Sequence, residues 1–408
     1  MKNFLCLLIF STFLGSSFEL FKIGPVTFTA FRIIFILFVI FHILLIGKNT
    51  NNRNSPVAKK YINYLAIILF FNLFTLIQTP SFLDWINGCI FYAINILLIS
   101  FVYIYTDNKK DLSKYIISFI LGIFMTIVIS IYEYKTGNHI ISANYFSIYS
   151  TSSWEYQVLS LAPTGFLYNP NNIGTLMILG LGFGLYFIKN NKGWLLFAVW
   201  SALCVYVSFA TGSRGAIILI FISIIISVLL GVKGALRKNF LLFFLLILGS
   251  FLFVKFNGFI FEQLDRSGLL TSKNDFSSDS RWQLIRLAMK ACVETIFLGT
   301  GPMTAEAVLI KYFNLSMASV HNFWIELLLT GGIGIFICFV AFYFRCIKVQ
   351  WKLRFNDTAN SPILVALIMF AAAVFIPPTV VSLNFVWLIF GFSIATEKLY
   401  YNETGIIL

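Results

Sequence analysis

Residues 211–232, TGSRGAIILIFISIIISVLLGV, decide the fold class of this chain. After Arg214 there is no charged residue until Lys233. A run of this length suffices for a helix to cross a lipid bilayer, which takes about 20 apolar residues. The glycine and serine residues before the run are typical of a turn. The stretch therefore predicts a tight polar turn that leads directly into a membrane-spanning helix.

Similar apolar runs recur along all 408 residues. Hydrophobic residues make up 59% of the chain and charged residues 11%, whereas a soluble domain is roughly half apolar and about a quarter charged. This composition excludes a soluble enzyme, a disordered chain and a nucleic-acid-binding domain. It predicts an all-α, polytopic membrane bundle in which residues 1–408 form a single transmembrane domain. We predict about twelve membrane helices, at residues 3–16, 26–46, 61–77, 86–105, 115–134, 172–188, 193–210, 215–232, 240–256, 320–344, 362–376 and 380–396.

The net charge of +13 is explained by membrane topology. If the N-terminus is cytoplasmic, 18 of the 29 Lys and Arg residues fall in cytoplasmic segments, together with five of the 16 Asp and Glu residues. The whole positive excess then lies on that side, as the preference of Lys and Arg for cytoplasmic loops requires. The charge therefore predicts that both termini are cytoplasmic, and it predicts no nucleic-acid partner.

The sequence carries no signature of a cofactor or metal. Its six cysteines lie in or beside apolar runs without metal-ligand spacing, so we interpret them as small hydrophobic residues. The short cytoplasmic loops contain no glycine-rich phosphate loop and no paired acidic motif. This argues against a nucleotide-sugar enzyme and an ATP-driven pump, and we predict neither a cofactor nor a metal.

The predicted external segments are the more polar ones. Residues 135–171 end in a turn-rich stretch, and the largest loop, residues 257–319, lies between predicted membrane helices 9 and 10. Polar groups that persist at membrane depth tend to mark the functional site of a membrane protein. We therefore expect the site on the external side.

One part of the large loop has the pattern of a helix. Ser280 and Gln283 fit a capping box, which makes Arg281 the first helical residue. Apolar residues then recur at helical spacing from Trp282 onward, until the turn at residues 299–302. We predict an amphipathic helix in the outer interface. The alternative is a loop helix that covers the bundle.

Three arginines are candidate anion ligands, because a planar guanidinium matches phosphate oxygens. Arg214 lies in the turn between two predicted helices, and Arg281 lies at a predicted helix start, beside unbonded N–H groups. The alternative for both is an interfacial arginine that reaches lipid headgroups. Arg32 lies about two turns into the second predicted helix, where it requires an internal carboxylate, a water cavity or an anionic ligand.

His321 begins a predicted membrane helix at its external end. An imidazole accepts a proton near neutral pH, so His321 is a candidate general base for a hydroxyl group; a structural histidine is the alternative. Asn322 and Glu326 share one face of this helix, where Glu326 would orient Asn322 or meet an arginine. The glycines at 331, 332 and 334 predict close helix packing.

Together, these motifs resemble the O-antigen ligase/polymerase superfamily. The similar segments are Ser213-Arg-Gly-Ala216, Ser280-Arg-Trp followed by Leu298-Gly-Thr-Gly301, and His321-Asn322 followed by Gly331-x-x-Gly334. Upstream, Tyr168-Asn-Pro-Asn-Asn-Ile-Gly174 is similar to the capsular and teichuronic acid polymerase branch.

The resemblance implies a glycosyltransferase of the bacterial inner membrane with an external active site. Its donor would be a glycan on undecaprenyl pyrophosphate, held by Arg214 and Arg281, and His321 would activate the acceptor hydroxyl. No metal is required, and the partners would be membrane lipid, a flippase and chain-length regulator proteins. On chemical grounds we add as substrate-binding residues Arg32, Arg286, Asn172, Asn322 and Glu326.

Several functions remain open at this point. A polymerase, which transfers the growing chain to a new lipid-linked repeat unit, is favoured over a ligase, which transfers it to a lipid or protein acceptor. A lipid-glycan transporter would instead show midplane charges and paired broken helices, which the sequence does not clearly show. A passive scaffold would leave Arg214, Arg281 and His321 with lipid-facing roles. Tyr168 and Trp282 either stack on sugar rings or belong to the interfacial aromatic belt.

Overall fold

The computed structural model describes residues 1–15, 18–23, 26–45, 56–140, 161–188, 193–231, 234, 239, 249, 276–313, 319–354, 356–357 and 359–408. The chain divides into two compact units. Unit 1 comprises Met1–Phe41, Ser113–Lys273 and Gln350–Ile376; unit 2 comprises His42–Leu112, Asn274–Val349 and Pro377–Leu408. The prediction of a single transmembrane domain stays a prediction.

The described residues are mainly helical, as the sequence predicts. The helices are α1 (Lys2–Ser11), α2 (Ala30–Leu45), α3 (Pro56–Phe74), α4 (Phe82–Tyr105), α5 (Lys109–Thr136), α6 (Pro170–Leu181), α7 (Gly193–Ala210), α8 (Arg214–Gly231), α9 (Phe276–Glu294), α10 (Ala305–Phe313), α11 (Phe323–Leu353), α12 (Asn360–Ala373) and α13 (Asn384–Thr404). Short 3₁₀ segments extend α1, α3 and α6, at Thr12–Leu14, Thr75–Gln78 and Gly182–Phe187. Two strands, β1 (Glu19–Ile23) and β2 (Val26–Thr29), form one antiparallel hairpin.

Six of the described helices are long and apolar enough to cross a membrane. They are Pro56–Gln78, Phe82–Tyr105, Lys109–Thr136, Gly193–Ala210, Arg214–Gly231 and Phe323–Leu353. Shorter apolar helices cover Lys2–Leu14, Ala30–Leu45 and Asn360–Ala373. The chain is therefore an all-α, multi-pass membrane protein. The count of about twelve spans stays a prediction, and the predicted helix at 240–256 lies, apart from residue 249, outside the described residues.

The second helix begins later than predicted. Residues 26–29 pair with β1 instead, and the rings of Phe21 and Phe28 stack with their centroids 4.9 Å apart. Aromatic and β-branched residues favour a strand, and an apolar run alone does not separate a strand from a helix. The hydroxyl of Thr29 then accepts the backbone N–H of Arg32 (3.2 Å), as in an N-cap. Arg32 is thus the third residue of α2, and its predicted position two turns into a helix is wrong.

In unit 1, α6 is the central helix, and its residues from Ile173 to Leu181 are buried. Three neighbouring helices make polar contacts with it. Ser223 of α8 donates to the Ile178 carbonyl oxygen (3.0 Å), and Trp200 of α7 donates to the Gly180 carbonyl oxygen (3.2 Å). Thr175 of α6 donates to the Ala373 carbonyl oxygen of α12 (3.5 Å). Such side-chain bonds hold helices together in lipid, where the hydrophobic effect does not.

Unit 2 contains a buried network of charged residues, which the sequence predicts to lie in cytoplasmic segments. Glu397 and Lys398 are buried within α13, which does not end at residue 396 as predicted. The helix continues to Thr404 and is followed by Gly405, whose left-handed conformation (φ 71°) is typical of a helix C-cap. The carboxylate of Glu397 accepts hydrogen bonds from the Tyr61 hydroxyl and the Arg345 guanidinium. These charges therefore hold α3, α11 and α13 together.

Candidate functional site

Arg214 is the first residue of α8, and the predicted turn before it is confirmed. Gly212 has a positive φ of 64°, and the hydroxyl of Thr211 donates to the Ser208 carbonyl oxygen (2.7 Å), which closes the end of α7. The side chain of Arg214 is half-buried. The first N–H groups of a helix lack intrahelical partners, so Arg214 adds a full positive charge to an already positive helix terminus.

Asn172 lies at the same end of unit 1 as Arg214. A Cβ at Gly174 would lie 2.7 Å from the Ala216 Cβ, so the starts of α6 and α8 are in direct contact. Asn172 is 8% exposed, and its amide nitrogen donates to the Leu167 carbonyl oxygen (2.8 Å). Its Oδ1 atom has no hydrogen-bond partner among the described residues.

The start of α2, with Arg32, also lies at this end. The Phe18 carbonyl oxygen accepts the backbone N–H of Ala30 (3.2 Å), and the Phe18 ring contacts the Phe166 ring (5.6 Å between centroids). Phe166 belongs to the segment that precedes α6. Three of the predicted site residues, Arg32, Asn172 and Arg214, therefore lie at one end of unit 1.

In unit 2, α9 begins one turn earlier than the predicted capping box. It starts at Phe276, so Ser280 lies inside the helix and the predicted N-cap is wrong. Asp275, the residue before this start, is as good a capping residue type as Ser280. Arg281 is the sixth helical residue, beyond the first four whose N–H groups lack partners. The predicted proximity of Arg281 to such groups is therefore wrong.

The buried face of α9 is made of small residues. Ala288, Ala291 and Cys292 are fully buried against Val308 and Leu309 of α10 and against Val320 and Leu329 around the start of α11. Burial raises the pKa of the Cys292 thiol to about 11, which keeps it protonated at neutral pH.

The predicted apolar stripe of α9 is divided between two faces of the helix, because Ile285 packs against the buried cluster while other members are exposed. Trp282 and Val293 are 64% and 62% exposed. Arg281 is half-buried, and Arg286 is exposed.

Residues 297–301, which we name the strap, join α9 to a break in α11. Gly332 has a non-helical backbone (φ 73°, ψ 177°), so α11 consists of two helical parts. Thr300 and Gly301 donate their N–H groups to the carbonyl oxygens of Leu329 (3.1 Å) and Thr330 (2.8 Å). In the other direction, the backbone N–H of Ile333 donates to the carbonyl oxygen of Phe297 (2.9 Å). The strap thus satisfies backbone groups that the break removes from the helix ladder.

The glycines of the two motifs make this contact possible. A Cβ at Gly299 would lie 2.7 Å from the backbone of Gly331, and one at Gly332 would lie 2.6 Å from the backbone of Leu298. The predicted close packing at the glycines of α11 is confirmed, although the partner is a loop backbone and not a second helix.

The residues before the first part of α11 are His321 and Asn322. His321 is half-buried and has a positive φ of 48°, which is uncommon for a residue other than glycine. Asn322 caps the helix, because its Oδ1 atom accepts the N–H groups of Trp324 (3.1 Å) and Ile325 (3.3 Å). The cap fixes the direction in which the chain enters α11 from His321.

Glu326 is buried (5% exposed) in the first turns of α11. Its Oε1 atom accepts the hydroxyl of Thr379 (2.8 Å), and its Oε2 atom has no partner among the described residues. The predicted pairing with an arginine is thus not observed there; a threonine takes that place. The hydroxyl of Ser319 donates to Pro378 (2.8 Å), so the segment before α13 lies against the start of α11.

Sequence reasoning missed Thr379 and Glu133. Thr379 follows two prolines that end a helical run, and this turn was the only signal in its favour. Glu133 is a lone acid at the end of an apolar run, where the prediction treated it as part of a helix end. Within the described residues, no group of three or more His, Cys, Asp or Glu side chains is placed to hold a metal ion.

The predicted site residues form one set in each unit. Arg32, Asn172 and Arg214 belong to unit 1, and Arg281, Arg286, His321, Asn322 and Glu326 belong to unit 2. A sequence model of the O-antigen ligase family matches residues 196–340, a range that contains Arg214 and all five residues of the second set.

A relative matches over nearly the whole chain. The Teichuronic acid biosynthesis protein TuaE of Bacillus subtilis (strain 168) is 23% identical over 417 residues, which cover 95% of this chain and 82% of that protein. The family match spans the motifs around Arg214, the strap and His321, and the relative extends the similarity to the remaining helices. The chain is thus similar to the O-antigen ligase family over residues 196–340, and to a teichuronic acid biosynthesis protein over nearly its whole length.

Proposed function

We propose that this protein is a polysaccharide polymerase that acts on the external face of the bacterial inner membrane. It joins oligosaccharide repeat units carried on undecaprenyl pyrophosphate into a surface polysaccharide. The similarity to a teichuronic acid biosynthesis protein over 95% of the chain supports a role in polysaccharide assembly.

One observation carries the proposal: the strap and the α11 break form a single hydrogen-bonded structure. Arg281 and His321 are 40 residues apart in the sequence, and the strap joins α9, which contains Arg281, to α11, which His321 precedes. A buried cluster from Ala288 to Leu329 packs the same helices together. An anion-binding group and a proton acceptor within one packed unit suit the transfer of a group from a pyrophosphate to a hydroxyl.

In the proposed reaction the acceptor hydroxyl oxygen attacks the anomeric carbon of the donor glycan. The bond between that carbon and the phosphate oxygen breaks, and undecaprenyl pyrophosphate leaves with the electron pair. His321 takes the proton of the hydroxyl, as a general base. Arg281 stabilises the negative charge that develops on the leaving group, an effect that is strongest where water is excluded. The family resemblance implies the same role for Arg214. Direct attack inverts the configuration at the anomeric carbon.

A ligase is the second candidate, because the family that matches residues 196–340 is that of O-antigen ligase. Both enzymes use the same donor and differ in the acceptor. Their products separate them: a missing polymerase leaves single repeat units, whereas a missing ligase leaves long chains on the carrier lipid.

The test is the length distribution of surface glycan in a strain that lacks the gene. It is complemented with the wild type, with His321→Ala, or with His42→Ala as a histidine control outside the proposed site. We expect single repeat units without the gene and with His321→Ala, and long chains with the control, at equal protein levels. Long chains on the carrier lipid would indicate a ligase. Normal glycan in all strains would overturn the proposal and favour transport.

A further inference from the structure

Glu133 lies near the C-terminal end of α5, and its side chain is completely buried. Its Oε2 atom accepts the backbone N–H groups of Thr164 (2.9 Å) and Gly165 (2.8 Å). Its Oε1 atom accepts that of Ile140 (3.2 Å), and His139 Nδ1 lies 3.5 Å from Oε2. Hydrogen bonds to a charged acceptor contribute about 1.5–3 kcal/mol each. Glu133 therefore fixes the position of the segment that contains Thr164 and Gly165.

That segment, residues 161–171, is also held from its other end. Asn172 donates to the Leu167 carbonyl oxygen (2.8 Å), and the Leu167 N–H donates to Thr164 (3.1 Å). Asn169 caps α6 by accepting the N–H of Asn171 (2.8 Å). We call residues 161–171 the lip. Glu133 and Asn172 clamp it against α5 and α6, and the start of α6 contacts the start of α8, which bears Arg214.

The surface of the lip is uncharged, because residues 161–171 contain no Lys, Arg, Asp or Glu. Leu161 and Tyr168 are its exposed side chains, Asn169 and Asn171 are half-buried, and Thr164 is buried. Tyr168 is 40% exposed and has a positive φ of 67°. This backbone conformation costs on the order of 1–3 kcal/mol for a bulky residue and persists only where the surrounding structure imposes it. The hydrogen bonds of Glu133 and Asn172 to the lip supply that constraint and hold the Tyr168 ring at the surface.

These groups match sugars and not phosphate. Amide and hydroxyl groups pair with sugar hydroxyls, and an aromatic face covers the apolar face of a sugar ring, whereas a phosphate requires positive charge. Asn172 adds an Oδ1 acceptor that is nine-tenths buried and has no partner among the described residues. A buried acceptor without a partner is costly, and a ligand hydroxyl would satisfy it.

We propose that the lip is a sugar-binding surface of unit 1 and that Glu133 is the residue that positions it. This inference rests on the proposed function. It assigns the glycan of the lipid-linked substrate to the lip, and it leaves the pyrophosphate to Arg214 at the same end of unit 1. Glu133 acts through the lip and does not itself touch the substrate.

The test separates sugar binding from pyrophosphate binding. The purified protein is assayed for the KM of lipid-linked repeat unit, and for the Ki of undecaprenyl pyrophosphate that carries no sugar. We expect Tyr168→Ala and Glu133→Ala to raise KM about tenfold, as for one or two lost hydrogen bonds, and to leave Ki within about twofold. Glu133→Gln keeps one acceptor oxygen and should restore part of the KM. Tyr132→Ala, an exposed neighbour on α5, should change neither constant.

The outcomes are distinct. Unchanged KM in both Tyr168→Ala and Glu133→Ala would overturn the lip as a sugar site. An equal rise of KM and Ki in Glu133→Ala, with a lower melting temperature, would reduce Glu133 to a structural residue and overturn its positioning role. Binding of the released repeat-unit oligosaccharide to the purified protein needs no turnover. If the protein binds this oligosaccharide through Tyr168 but makes no polymer, the polymerase function is wrong and the lip is supported as a sugar site.

Discussion

The backbone N–H of Gly301 donates a 2.8 Å hydrogen bond to the carbonyl oxygen of Thr330. These residues belong to two motifs that look independent in the sequence. The bond forms because α11 breaks at Gly332 and the strap supplies donors to the carbonyl groups at the break. The glycine-rich motif of α11 and the Leu298-Gly-Thr-Gly301 motif are therefore the two halves of one structural element.

This relationship predicts that Gly332→Ala destabilises the protein. Gly332 has a φ of 73°, and a Cβ there would lie 2.6 Å from the Leu298 backbone, so both strain and a clash oppose the substitution. We expect a loss of about 1–3 kcal/mol or more, measured as a lower thermal midpoint of the purified protein in detergent.

Gly334→Ala is the matched control in the same helix. Its Cβ would meet the Phe71 ring at 3.4 Å, an ordinary contact with a side chain. It should leave the midpoint nearly unchanged. A similar loss in both variants would mean that the strap contact does not set the requirement for glycine.

The contact between Glu326 and Thr379 predicts a second effect on stability. Thr379→Val removes the one donor that the described residues give to this buried carboxyl group. An unsatisfied buried acceptor costs about 1–3 kcal/mol, so the thermal midpoint should fall. In the double variant with Glu326→Ala the two losses should not add, because the interaction they share is already absent. Thr404→Val, at an exposed helix end, should have almost no effect.

The sequence predicts most helices because apolar runs and their breaks are local features. Residues 193–210 and the start of α8 are predicted to within one residue. Glycine at 331, 332 and 334 likewise indicates close packing from the residue types alone.

What the sequence does not predict depends on contacts between distant residues. Nothing in the pattern around Gly301 indicates Thr330 as its acceptor, and nothing near Glu133 indicates the amides of Thr164 and Gly165. The sequence does not fix the start of α9, because Asp275 and Ser280 are equivalent capping residue types. The sequence does not indicate the hairpin at Val26, because a short apolar run is compatible with both a strand and a helix.

The proposed pyrophosphate site predicts that Arg214→Lys and Arg281→Lys both reduce polymer formation. Lysine keeps the charge but loses the planar pair of donors that grips phosphate oxygens. Losing a charged hydrogen bond of about 1.5–3 kcal/mol lowers kcat/KM roughly 10- to 100-fold. The measurement is turnover of lipid-linked repeat unit by purified protein, with Ki for undecaprenyl pyrophosphate as the second readout.

Lys290→Ala is the control for that experiment. Lys290 is exposed on α9, and its ammonium group lies 5.8 Å from the Phe313 ring centre, so it is a cation of unit 2 without an assigned role in the site. Its loss should leave kcat/KM unchanged. An equal decrease in all three variants would indicate general attraction of an anionic substrate in place of specific phosphate ligands.

The buried pair of Arg345 and Glu397 predicts a change in stability without a change in catalysis. The side chains are 9% and 0% exposed, so Glu397→Gln leaves the guanidinium with an uncompensated buried charge. Breaking such a pair costs about 3–5 kcal/mol, and the same substitution removes the carboxylate that accepts the Tyr61 hydroxyl. The protein level and thermal midpoint should fall, while kcat per folded molecule stays constant. Glu403→Gln breaks a pair with Lys109 whose side chains are about half exposed, and the cost there is at most about 1 kcal/mol. If Glu397→Gln lowers kcat at an unchanged midpoint, the network takes part in the reaction cycle and is not merely a structural contact between α3, α11 and α13.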